Sequence, residues 1–133
     1  MQKISVCFLI IMFLVACRQK EKKFKTLVVK ATAYNSFSWQ TKATNSNIAA
    51  WGDTLQLGDR CIAVSRDLID SGLVHNQAVH IEGFEGQFLV KDKMNRRYKK
   101  HIDIYMGKEL KRARNFGKQT LRIWWEVSEE EKN

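Results

Sequence analysis

The sequence predicts a mainly β domain, a small barrel rather than a sandwich. Three observations carry that expectation. Short runs rich in Val, Ile, Thr and aromatic residues recur along most of the chain, with glycine-containing turn signals between them. Only one stretch, 108–115, collects helix formers over more than a single turn. And 133 residues, with no proline and no visible internal repeat, leave room for one domain.

The first residues stand apart from that fold. Met1-Gln2-Lys3 is a short cationic start, Ile4 to Phe13 is an almost unbroken apolar run, and Leu14-Val15-Ala16-Cys17 ends it. The run is short for a membrane span and has the layout of a signal peptide, 1–16. Small residues before a cysteine form a bacterial lipobox, so Cys17 is the expected lipidation site and the mature N-terminus. Acyl chains on that residue would anchor the domain to a membrane, in the cell envelope, without a spanning helix. Residues 17–25 are a polar, cation-rich tether, 26–128 the folded domain, and 129–133 a charged tail.

Lys and Arg total 23 against 14 Asp and Glu, a formal charge of +9. A basic exported domain can meet anionic phospholipid or an anionic wall polymer; export sets nucleic acid aside. Cys7 leaves with the leader and Cys17 carries lipid, so Cys61 alone remains and no internal disulfide can form. Within Arg60-Cys61-Ile62-Ala63-Val64 it reads as a small core residue rather than a nucleophile.

Taken in order, Leu27–Tyr34 is the first strand, dense in β-branched and aromatic residues. The Ser-, Thr- and Asn-rich stretch Asn35–Asn47, with Phe37 and Trp39, is a loop. A turn at Leu57-Gly58-Asp59 precedes the strand Cys61–Val64, and Ser65–Gly72 is one helical turn stopped by its glycine. Val79–Glu82 alternates as a half-buried strand, and Gly83-Phe84-Glu85-Gly86 is a tight hairpin into Gln87–Val90. Lys108–Asn115 is the helix, with Gly117 as its stop. Leu121–Val127 is the closing strand, and its adjacent Trp124 and Trp125 must face opposite sides.

The chemistry concentrates between Phe88 and Gly107. Two short β-type runs, Phe88–Val90 and Ile102–Met106, are joined by the basic loop Lys93–Lys100, and aspartates stand at 92 and 103. A strand's period of two puts Asp103 on the face opposite Ile102 and Ile104, flanked by His101 and Tyr105. Asp is depleted from strands and a buried charge is costly, so this carboxylate invites a chemical explanation. His75, His80 and His101 lack any spacing that supports a zinc site, and no metal or cofactor is expected.

In order and spacing the chain resembles the three-aspartate (3D) domain family. The residues that carry this are Ala31-Thr32-Ala33-Tyr34, Ala50-Trp51-Gly52, Leu57-Gly58, Ile62-Ala63-Val64, Val79-His80-Ile81-Glu82-Gly83, Val90-Lys91-Asp92, Ile102-Asp103-Ile104-Tyr105-Met106 and Asn115-Phe116-Gly117. The resemblance runs from about Ala31 to Val127. It implies a six-stranded double-psi β-barrel with one or two short helices, similar to the catalytic barrel of membrane-bound lytic transglycosylases. Such enzymes cleave peptidoglycan glycan strands and leave a 1,6-anhydro end. By that resemblance Asp103 is the catalytic acid/base and Asp92 its partner. Thr32, Tyr34, Trp51, Asp67, Arg96, His101 and Tyr105 are the substrate-binding candidates, and a monomer is expected.

Two departures stand out. Where the family's first aspartate follows an Ile-Ala-Val run this chain has Ser65, with Asp67 two positions later. Where relatives have a glycine-rich turn it has Lys93-Met94-Asn95-Arg96-Arg97-Tyr98. A glycosidic acid must own a proton before the bond breaks, so its pKa has to sit well above the roughly 3.9 of a free Asp. Burial and the charge of Asp92 would raise it; Arg97, Lys99 and Lys100 would lower it if they pointed inward. The alternatives are a non-catalytic peptidoglycan-binding lipoprotein and a structural part of an envelope complex.

Overall fold

The computed structural model describes residues 21–35 and 48–128. The expected leader, Cys17, the aromatics Phe37 and Trp39, and the charged tail lie outside the described residues.

Six strands and two short helices follow one another as β1 (Lys23–Tyr34), β2 (Cys61–Val64), α1 (Arg66–Asp70), β3 (Ala78–Ile81), β4 (Phe88–Lys93), β5 (His101–Tyr105), α2 (Leu110–Phe116) and β6 (Gln119–Val127). The strands close into one barrel in the order β1-β5-β2-β4-β3-β6. β1 runs parallel to β5 and β2 parallel to β4, while the other neighbours are antiparallel. Exchanging β1 with β4, β2 with β5 and β3 with β6 leaves this pattern unchanged. The chain is thus two interlocked halves of three strands each, the connectivity expected of a double-psi barrel.

Alternation builds the core. Val29 and Ala31 of β1, Ile62 and Val64 of β2, Val79 and Ile81 of β3, Phe88 and Val90 of β4, Ile102 and Ile104 of β5, and Ile123 and Trp125 of β6 fill the interior. Leu68 of α1 and Leu73 close one end. Gly72 takes φ 104°, which lets Leu73 N–H reach the Leu68 carbonyl and Gly72 N–H reach that of Ile69, so the helix stops after one turn as expected. Trp125 is inside; Trp124 stacks on His80 outside, centroids 5.3 Å apart.

Strand limits differ from the sequence expectation in two places that matter. β1 begins at Lys23, inside the expected tether, because the nine-residue β6 offers it partners: Lys23 pairs with Val127 and Lys25 with Trp125. β4 runs on to Lys93 and so includes Asp92. Its pairing with β2 jumps from Ile62–Val90 to Ala63–Asp92, leaving Lys91 as the extra residue of a bulge.

Candidate functional site

One row of four side chains crosses four adjacent strands. Thr32 of β1 is opposite Asp103 of β5, Asp103 is opposite Ala63 of β2, and Ala63 is opposite Asp92 of β4. The row lies on the outer face, since Ile102 and Ile104 point into the core. This outer face is nevertheless covered. Tyr105 packs with Ala49, Leu55, Cys61 and Tyr34 in a second apolar cluster, and His101 is only 4% exposed.

Burial is therefore the largest influence on Asp103 and pushes its pKa from 3.8 up to about 6; the Thr32 hydrogen bond pulls it back and the charge of Asp92 adds to the rise. No cation of the 93–100 loop acts on it appreciably. Thr32 Oγ1 donates to Asp103 Oδ1 at 2.9 Å. A hydroxyl has one proton, so Thr32 must accept from His101 Nε2, also at 2.9 Å. While Asp103 is ionised, these hydrogen bonds require the Nε2–H tautomer of His101. Burial first, and then the charges of Lys118 and Lys30, hold the imidazole below its ordinary pKa, so it is neutral at pH 7. The result is a directed chain, imidazole N–H to hydroxyl to carboxyl.

Asp92 does something else. Its Oδ1 accepts the backbone N–H of Ala50 at 2.7 Å and of Lys93 at 2.8 Å. The first bond pins the 49–55 segment over the barrel. The same segment is pinned again by Asp53, which takes Lys91 Nζ at 2.9 Å and the ring of His75. The hydrogen bonds from Lys91 and His75 hold the Asp53 carboxyl below its usual range. Trp51 stacks on His75, centroids 5.0 Å apart, and Lys93 Nζ lies 4.9 Å from the ring centre. Its ring is engaged by the fold and does not line the groove.

Beside the row lies an open groove of about 330 Å³, lined by Thr32, Tyr34, Ala63, Asp92, Asp103, His101 and Lys118 and, from the basic loop, by Lys93, Met94, Asn95 and Tyr98. The Tyr34 hydroxyl is buried and has no hydrogen-bond partner among the described residues, and its pKa is raised, chiefly by that burial. Of the substrate-binding candidates, Thr32, Tyr34 and His101 stand in this groove beside both aspartates.

The others stand elsewhere. Tyr105 is packed behind Tyr34, rings 5.3 Å apart, and buttresses it. Asp67 sits on the far side of His101. Its burial raises its pKa, but the Lys100 N–H at 2.9 Å and the Ser65 hydroxyl lower it further. It ties the loop to α1 and does not take the place of a first groove aspartate. That position, Ser65, is fully buried and accepts His101 N–H at 3.0 Å, fixing the start of β5. Arg96 is exposed and outside the groove.

The groove residues that sequence reasoning did not name as site candidates are Ala63, Lys93, Met94, Asn95, Tyr98 and Lys118. The loop folds inward because Met94 is apolar and buries, its N–H bonded to the Val64 carbonyl, while Asn95 caps a turn at Arg97. Tyr98 then meets His101 edge-on at 5.1 Å. The signal was there: Met94 and Tyr98 are the two apolar-bodied residues within a cationic run. Cys61 is buried and its thiol is pushed up to about 12, chiefly by burial, so it is inert. Among the described residues no three His, Cys, Asp or Glu side chains gather as a metal site.

No family model matches the chain, nor does any curated protein. Among solved structures the barrel is similar to apo expansin of Clavibacter michiganensis, with 20% identity and a TM-score of 0.50 over 79% of this chain and 52% of the expansin. A mutant of a Clavibacter michiganensis expansin in complex with cellohexaose aligns with 16% identity and a TM-score of 0.48 over 78% of this chain and 51% of that one. The chain spans about half the length of these expansins. At such identity the likeness to the first is one of fold.

Proposed function

We propose that the groove binds a glycan strand of the bacterial cell wall, peptidoglycan being the polymer that the resemblance to the three-aspartate family implies. The observation that carries this reading is the polar row itself: Thr32, Asp103 and Asp92 along one open groove, with the ring of Tyr98 among the residues that line it. A sugar ring offers hydroxyls to the former and an apolar face to the latter. The expansin-like barrel accords with a cell-wall polysaccharide as the occupant. Lipid on Cys17 would hold the domain at a membrane facing the wall.

One observation favours a second reading, cleavage of that strand: a carboxyl with a pKa of about 6 keeps a useful fraction of its proton near neutrality. In this reading Asp103 protonates the glycosidic oxygen. It then takes the proton of the C6 hydroxyl as that oxygen closes onto C1, giving an anhydro end with no water consumed. Asp92, engaged by two amides, tunes Asp103 through its charge and holds the wall of the groove.

Incubating the lipid-free Cys17→Ser chain with purified sacculi tests both. Sedimentation with the sacculi is expected for wild type; no association at any salt concentration would overturn the proposal. Anhydro-muropeptides released by wild type and not by Asp103→Asn would establish cleavage, and binding without release would leave the domain a binder.

A further inference from the structure

Beyond His101 the surface carries a second depression, of about 540 Å³, lined by Lys30, Lys99 and Lys100 with Val28, Val29, Asp67 and Thr120. It adjoins the groove through β1. Lys30 is opposite His101 in the β1–β5 register, and Lys118, on the groove side, precedes Gln119, which pairs with Ala31.

We propose that this depression takes the carboxylate of a short peptide branch on the glycan strand held in the groove, so that the ligand is a peptide-substituted glycan rather than a bare one. The inference rests on the glycan reading above. Among the described residues none of Lys30, Lys99, Lys100 and Lys118 makes a salt bridge, whereas Lys22, Lys91 and Arg112 each have a carboxylate. The one acid in the depression, Asp67, already accepts the Lys100 backbone N–H. Lys30 and Lys118 both lie close enough to bias the His101 ring. Three lysines share the depression with a single carboxylate, Asp67, on which Lys99 already acts through its charge, and Lys118 stands on the groove side; the remaining excess of positive charge is relieved by an anion. The lining selects the kind of anion. Val28 is 57% exposed and Thr120 offers a hydroxyl beside it. Methyls, amides and a carboxylate on a peptide branch match such a mixed surface better than a bare phosphate chain does.

The test compares the full-length chain with its Lys30→Gln/Lys99→Gln variant on sacculi freed of phosphate polymers, before and after an amidase strips their peptides. Wild type is expected to bind intact sacculi roughly tenfold tighter than stripped ones, the preference shrinking between low and high salt. The variant is expected to bind both as wild type binds stripped sacculi, and His101 in it titrates at higher pH by NMR. Equal wild-type affinity for intact and stripped sacculi, or a variant that keeps the preference, would overturn the proposal. Wild type binding neither form would instead overturn the glycan reading itself.

Discussion

The two halves of the barrel, β1–β3 and β4–β6, are built alike and used differently. Their exchange maps Thr32 onto Asp92 and Ala63 onto Asp103, so the row across the four strands could hold matching residues at matching places. It does not. The centre of the row has a methyl on β2 and a carboxyl on β5. Its flanks have a hydroxyl on β1, which donates to Asp103, and a carboxylate on β4, whose Oδ1 faces two backbone amides. Two aspartates from the same half therefore differ in character because of what surrounds them. One is largely desolvated on the wall of the groove and retains its proton more readily; the other is a brace for the 49–55 segment.

The harshest way to break this asymmetry is Ala63→Asp, which restores symmetry with a second carboxyl at a site 5% exposed. Burying a like charge beside Asp103 should cost about 3–5 kcal/mol at pH 7–8 and much less at pH 4, read from urea unfolding. A variant as stable as wild type at both pH values would mean the row is wet.

Asp103→Asn sharpens the comparison from the other side. A carboxyl whose folded pKa is about 6 against an ordinary 3.8 binds its proton more tightly in the native state. Its contribution to stability is intact below about pH 4 and is lost as pH rises through 6, by at most roughly 3 kcal/mol. The asparagine variant should lack that decline and be the more stable protein at pH 7.5. Parallel stability–pH curves would contradict the account.

Asp92→Ala should act with little such dependence on the groove's dryness. It leaves the Ala50 and Lys93 amides without their acceptor, a loss of about 1–3 kcal/mol, and should speed hydrogen exchange at Ala50 more than in β5. Uniform acceleration would argue against the brace. The smallest effect belongs to Thr32→Val: removing the hydroxyl that stabilises ionised Asp103 should raise that pKa by under about one unit, as expected for a single neutral donor. A fall would show that Thr32 does not donate there.

The central carboxyl was legible from local pattern because a strand's alternation reaches only two residues away: Ile102 and Ile104 inward oblige Asp103 outward. The role of Asp92 was not legible, since its partner Ala50 lies 42 positions back and no local pattern encodes that meeting. The same holds for Asp67, whose neighbour Lys100 arrives from another loop, and for Trp51, whose ring faces His75 and Lys93 only after the barrel closes. The extension of β1 to Lys23 was masked by its cations, which suit a tether as well as an exposed edge. Pairing with β6 decided between them.

The most direct test is a carbon-detected NMR titration of the Asp103 carboxyl in the ligand-free protein. A midpoint near pH 6, shifted well away from that of a free aspartate, is the expected result. A midpoint close to 4 would show an ordinary, hydrated carboxylate and remove the physical basis for a proton-retaining groove.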